Sequence, residues 1–186
     1  MIILPSMTHS ILLTSFDVWK IHQASNSSDD LIHEIQMNSR LDELYLLRKL
    51  PVDFVLAPAK IITEINRVQP DVVVCCGMAE RRSRLSIESN GRVGDDIYRT
   101  QVNLRDLVRD LSFTRISHNA GKFVCNHTYY SILQYIQTKQ LAINCIFIHV
   151  PVLQEANRAA IVGDFQLILA RLLRGNAEHD APTTAL

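Results

Sequence analysis

Residues 71–77 read DVVVCCG. Five apolar residues follow an aspartate and stop at a glycine. The run is too short for a stable helix and lacks the alternation of a strand with one wet face. It reads as a strand covered on both sides, the pattern of a parallel sheet packed between helices. Residues 143–152, INCIFIHVPV, repeat the pattern nearer the C-terminus.

The flanking segments fit that frame. HSILLTSF (9–16) is apolar and β-capable, ending near Phe16. SNSSDDLIHEI (25–35) opens on capping residues and acids, then sets Leu31, Ile32 and Ile35 at helical spacing. DELYLLRKLPV (42–52) alternates as a strand does, and APAKIITEINRVQ (57–69) is a helix stopped by Pro70. Residues 77–97 are polar and basic and read as one long loop. Val102, Leu104, Leu107, Val108 and Leu111 form a helical stripe. SFTRISHNAG (112–121) is a strand with a turn, residues 125–138 a helix, and 156–175 a closing helix with Gly175 past its end. Strands alternating with helices predict a three-layer α/β/α sandwich with a central, mainly parallel mixed sheet. A single domain over residues 1–175 is expected, with 176–186 as a disordered tail.

Composition removes several classes of function. Lysine plus arginine and aspartate plus glutamate both total 19 among 186 residues. No charge excess points to nucleic acid or an anionic membrane. No apolar run is long enough to span a bilayer, and the opening residues lack the layout of a signal peptide, so cytoplasm is the expected compartment. The four cysteines form no CxxC, and His22, His33 and His118 have no ligand spacing with acids or cysteines. No metal or other cofactor is expected.

Chemistry is expected at the carboxyl ends of strands. Cys125 sits where a strand hands over to a helix through Asn119, Ala120 and Gly121. The helix dipole and unpaired N–H groups predict a thiol pKa below the usual ~8.5. His149 ends an apolar strand and emerges at the sheet rim. If the two strands are neighbours, thiol and imidazole meet as nucleophile and base. A carboxylate should orient the imidazole; sequence position alone leaves Glu88, Glu80 and Asp95 in competition. Cys75, Cys76 and Cys145 read as core packing. His127 reads as a structural hydrogen-bonding residue.

Four stretches carry a family likeness: LLTSFDVW (12–19), PDVVVCCGMAERRSRLSIES (70–89), NAGKFVCNHTYY (119–130) and FIHVPVLQE (147–155). In this order the chain resembles the pyroglutamyl peptidase I family of cysteine peptidases, also called pyrrolidone carboxyl peptidases. The resemblance implies Cys125 as nucleophile and His149 as base. Counting eleven residues from Gly77 implies Glu88 as the family's catalytic glutamate. It also implies a pyrrolidone-ring site with Phe16, Trp19, Met78, Phe123 and Val124, and cleavage of the amide after an N-terminal pyroglutamyl residue in a small peptide. A homo-oligomer, dimer or tetramer, is implied too. Arg82 matches a family arginine and is expected to brace the loop carrying Glu88.

The departures are local. The family's Gly-Gln-Ala-Gly-Gly-Arg is here Gly77-Met78-Ala79-Glu80-Arg81-Arg82. A thioether replaces an amide, and two side chains replace glycines free to take unusual backbone angles. The opening motif loses its glycines and proline, and much of the family segment after Glu88 is missing. Three readings follow: a pyroglutamyl-type peptidase, a thiol amidohydrolase for another small N-acyl or lactam substrate, and a non-catalytic binding protein on the same scaffold.

Overall fold

The computed structural model describes residues 9–38 and 43–174; Gly175 and the expected tail lie outside them. In chain order the elements are β1 (Ile11–Phe16), α1 (Ser27–Asn38), β2 (Leu44–Leu50), α2 (Leu56–Val68), β3 (Val72–Met78), β4 (Leu85–Glu88), β5 (Asn90–Val93), β6 (Asp96–Arg99), α3 (Leu104–Leu107), β7 (Thr114–Ser117), α4 (Val124–Thr138), β8 (Asn144–Val150) and α5 (Glu155–Leu173). Six strands form one sheet in the order β2-β1-β3-β8-β4-β7, and β5 and β6 form a separate ribbon. β2, β1, β3 and β8 run parallel. β4 is antiparallel to β8, and β7 is parallel to β4.

Both faces of the sheet are covered. Ile11, Leu13, Val72, Val74, Ile146 and Ile148 pack with α1, α3 and α5 on one face. Leu12, Val73, Cys75, Cys145 and Phe147 pack with α2 and α4 on the other. Burial on both sides is why β3 and β8 have no polar positions in mid-strand. This is the expected α/β/α sandwich with a mainly parallel mixed sheet. Cys75, Cys76 and Cys145 are buried, as read.

Local chemistry sets the helix ends. The Asn26 side chain accepts from Ser28 N at 3.1 Å ahead of α1, and Asp53 accepts from Val55 N and Leu56 N at 2.8 and 2.7 Å ahead of α2. Gln69, left-handed at φ 48°, ends α2 with its N–H on Ile65 O. Gln154 and Asn157 form a reciprocal cap at the start of α5.

Two sequence expectations fail. Residues 77–97 are not a loop: they hold the end of β3, all of β4 and β5, and the start of β6. The stripe from Val102 to Leu111 is not a long helix. α3 is a single turn, and the chain leaves it through Asp110 at φ 61°. Val102, Leu104, Leu107, Val108 and Leu111 still pack on one cluster, so the pattern reported burial without the helix.

Candidate active site

The site lies on the face of the sheet beneath α4, and strand alternation explains why. Cys145 and Phe147 of β8 face α2 and α4, so His149 points the same way. Leu85 and Ile87 of β4 face the opposite cluster, leaving Ser86 and Glu88 on the His149 side. In the antiparallel ladder Ser86 pairs with His149 and Glu88 with Phe147. Glu88 and His149 are therefore diagonal neighbours, within reach of each other.

His149 Nδ1 lies 2.8 Å from Glu88 Oε1. Glu88 is fully buried and His149 is 5% exposed. Arg82 Nη1 donates to the same oxygen at 2.5 Å, and Nη2 donates to Asn119 O at 3.0 Å. Arg82 thus holds the carboxylate directly as well as the turn before α4. Glu88 Oε2 has no hydrogen-bond partner among the described residues. The Phe147 ring supports the imidazole at 4.9 Å between centroids. Tyr129 of α4 donates to Glu88 O at 3.0 Å and ties that helix to β4.

Cys125 is in the first turn of α4. Its sulfur stands 2.8 Å from where a Cβ on Gly77 would be. Gly77 is the register partner of His149 in the adjacent parallel strand, so thiol and imidazole face neighbouring positions of one sheet surface. The expected route to this meeting fails. The strand before Cys125 is β7, and β4 separates it from β8. The loop and α4, not adjacent strands, bring the sulfur over. Of the three acids left open by sequence position, Glu88 meets the imidazole. Glu80 is held by other groups, and Asp95 lies in the β5–β6 turn.

Electrostatics follow from burial. Burial works to raise the Glu88 carboxyl, but the hydrogen bond from His149, the nearby Ser117 hydroxyl and the charge of Arg82 hold it below its ordinary value. Burial pushes the His149 imidazole down, against the pull of Glu88 and with the help of Arg82. The Cys125 thiol is pushed up to about 12, by burial first and by Glu88 and Cys75 next. This corrects the expected depression. A helix N-terminus contributes about 0.3–2 kcal/mol, on the order of one pKa unit, and crowding of the sulfur outweighs it. The resting pair is thiol and neutral imidazole.

Phe16, Trp19, Met78, Phe123, Val124 and Cys125 line one small cleft of about 50 Å³. The residues expected at a ring site are thus gathered beside the sulfur. Trp19 and Phe123 lie 4.7 Å apart at 34°, and Lys20 Nζ sits 4.5 Å over the Trp19 ring. Asn26 and Val52 complete the lining, and Phe54 meets Phe123 edge-on at 5.6 Å. Sequence reasoning missed these three. Only the cap signature ahead of α1 could have marked Asn26. His127 makes no side-chain hydrogen bond among the described residues; its ring packs on Phe54 at 5.4 Å. Its neighbour Asn126 does the bonding, accepting from Arg92 N at 3.0 Å and donating to Arg92 O at 2.7 Å.

The altered loop is well organised. Glu80 accepts from Lys20 Nζ at 2.7 Å, His22 Nε2 at 2.9 Å and Gln23 Nε2 at 2.9 Å. These partners, Gln23 first, lower its carboxyl to about 2. Gln23 Oε1 accepts from Trp19 N and Lys20 N at 3.1 and 3.2 Å. Met78 Sδ accepts from Ser27 N at 3.4 Å. Neither Glu80 nor Arg81 has a positive φ, so the turn dispenses with the backbone freedom of glycine.

A thiol in the first turn of a helix, over the strand position beside an imidazole held by a buried carboxylate, has the chemistry of a nucleophile with a general base and its orienting group. A sequence model for pyroglutamyl peptidase matches residues 95–167. The chain is 27% identical over 171 residues to the pyrrolidone-carboxylate peptidase of Brachyspira hyodysenteriae, covering 77% of this chain and 84% of that protein. It is 29% identical over 169 residues to pyrrolidone-carboxylate peptidase 2 of Caldanaerobacter subterraneus, covering 77% and 81%. Pyroglutamyl peptidase I from Bacillus amyloliquefaciens shares the fold with a TM-score of 0.75 at 21% identity, over 88% of this chain and 94% of that one. The chain is thus similar in sequence to pyrrolidone-carboxylate peptidases and shares the fold of pyroglutamyl peptidase I.

Proposed function

We propose that this protein is a cysteine peptidase that removes an N-terminal pyroglutamyl residue, with Cys125 as nucleophile, His149 as base and acid, and Glu88 as the group orienting the imidazole. The observation that carries the reading is the buried 2.8 Å contact of His149 with Glu88, set one strand from the Gly77 position that Cys125 overlies. With Nδ1–H donated to Glu88, Nε2 is left free to accept a proton. It takes the thiol proton as sulfur attacks the amide carbonyl carbon. The oxyanion meets the N–H groups of Val124, Cys125 and Asn126, which precede the first intrahelical donor, His127 N. The imidazolium gives its proton to the leaving nitrogen and the C–N bond breaks, leaving a thioester. Water, deprotonated by His149, then adds to the thioester. The C–S bond breaks, the proton returns to sulfur, and pyroglutamate leaves.

Because thiol and imidazole rest neutral, attack and proton transfer proceed together rather than from a preformed thiolate. Phe16, Trp19 and Phe123 offer apolar surface to a flat five-membered ring. The test is hydrolysis of a fluorogenic pyroglutamyl amide. Wild type should turn over; Cys125→Ala and His149→Ala should not. Glu88→Gln should lose on the order of 10³–10⁴ in kcat, as expected when the orienting carboxylate goes. Equal rates for wild type and Cys125→Ala would sink the reading. One observation favours a second reading, a thiol amidohydrolase for another small acyl group. The cleft offers Met78 where the family has an amide, and Asn26 Nδ2 is already committed to Asp17 O at 3.0 Å. Cys125-dependent cleavage of other N-acyl amides, with none of the pyroglutamyl amide, would decide for it.

A further inference from the structure

A second cleft, about 300 Å³, adjoins the first and shares Trp19 and Met78 with it. Its remaining wall includes Lys20, Glu80, Arg81 and Arg82. Three of these charges are already spoken for. Lys20 is paired with Glu80 at 2.7 Å, Glu80 also accepts from His22 and Gln23, and Arg82 is bound to Glu88 and Asn119 O. Arg81 makes no hydrogen bond or ion pair among the described residues. It is exposed and stands four residues beyond the glycine that Cys125 overlies.

The position of this cleft relative to the chemistry matters. The apolar cleft holds the acyl half of a substrate against Cys125. The leaving amine departs toward the imidazole that protonates it. Arg82, on the wall of the second cleft, touches the carboxylate that holds that imidazole. The second cleft thus adjoins the acyl cleft and the arginine that anchors the imidazole's carboxylate, and its uncommitted charge is a guanidinium, suited to a carboxylate. Resting on the peptidase reading above, we infer that this cleft is the subsite for the residue after the scissile amide, and that Arg81 there binds a carboxylate. The preferred substrates are then pyroglutamyl compounds whose leaving residue carries a negative charge, as a free α-carboxylate or an acidic side chain.

The test compares pyroglutamyl-alanine, pyroglutamyl-alaninamide and pyroglutamyl-glutamic acid α-amide. Wild type should favour the charged member over alaninamide in kcat/KM by on the order of fivefold, the scale of a partly exposed ion pair. The two charged substrates separate an α-carboxylate from a side-chain carboxylate. Arg81→Gln should bring the ratio to about one, Arg81→Glu should invert it, and added salt should shrink it. Ratios are insensitive to the fraction of folded enzyme. Binding is read separately in Cys125→Ala protein through Trp19, the single tryptophan of the chain, which lines both clefts. Pyroglutamyl-alanine should shift its fluorescence at lower concentration than the amide, and Arg81→Gln in the same background should abolish the difference. Equal ratios in wild type, or a preference that survives Arg81→Gln, overturns the inference. If no substrate is cleaved, the peptidase reading fails alone; the Trp19 titration still decides for or against a carboxylate site at Arg81.

Discussion

At Cys125 two effects compete and their sizes decide the outcome. The helix N-terminus draws the thiol toward thiolate by about 1.5 pKa units at most, while burial and the nearby Glu88 push it up to about 12. The sulfur therefore rests protonated and becomes nucleophilic only as His149 removes its proton. Alkylation distinguishes this from a resting thiolate–imidazolium pair. With iodoacetamide at pH 7.5, Cys125 should react at least about a hundredfold more slowly than a free thiol of pKa ~8.5. The rate should still be climbing at pH 10. Cys125→Ala assigns the modified site, since Cys75, Cys76 and Cys145 are buried. A rate that is already level below pH 7 would contradict the neutral pair. The residues themselves were legible: AG-x-FVCNH and FIHVP marked Cys125 and His149. The sign of the thiol shift was not, because helix position can be read along a chain and crowding by Gly77, Cys75 and Phe147 cannot.

Among the elements, β3 and β8 were read correctly because both faces are buried and the apolar runs are unbroken. β4 was missed although all four of its residues are buried. It is short, carries Ser86 and Glu88 on its site face, and is flanked by arginines, so it reads as a polar loop. The β5–β6 ribbon left a clearer trace, since Gly94, at φ 59°, and Asp95 form the two-residue loop of a hairpin. The clearest prediction at this level concerns the end of β3. Any side chain at Gly77 meets Cys125 Sγ at 2.8 Å and the Phe147 ring at 2.9 Å. Both neighbours belong to the site: one is the nucleophile and the other supports His149. Gly77→Ala should fold, with a far-UV circular dichroism spectrum like wild type. Its kcat/KM should fall by on the order of 10²-fold, the cost of displacing a reacting atom by about 1 Å. Full activity in Gly77→Ala would mean that the sulfur does not work from its position over β3.

For the whole molecule, the alternating strand–helix pattern implied the layers but not the strand order. Insertion of antiparallel β4 between β8 and β7 is a long-range pairing with no local signature, and it is what sets Glu88 against His149. The same arrangement makes the fold sensitive to acid. Asp29 accepts from Arg48 Nε and Nη2 at 2.8 and 2.9 Å and from Ser15 Oγ at 2.7 Å, joining α1 to β1 and β2. Burial raises its carboxyl, but these bonds hold it below the ordinary value. Asp71, bonded to Ser10, and Glu88 are lowered too, and burial lowers His149. A group whose folded pKa is depressed stabilises the fold above its unfolded pKa and loses that contribution as pH falls toward the folded value. For His149 the loss begins below about pH 6.5, and for the carboxylates below about pH 4. The melting temperature should therefore be nearly flat from pH 7 to 8, decline from pH 6.5 to 5, and drop more steeply below pH 4. For a chain of this size, each kcal/mol lost lowers Tm by about 2–4 °C. His149→Asn should remove the upper decline and leave the lower one, because the upper step is assigned to that buried imidazole. Differential scanning calorimetry across pH 3.5–8 reads both steps. A melting temperature that rises as pH falls from 7 to 5.5 would mean that His149 is charged in the folded protein, and the neutral thiol–imidazole resting state would fall with it.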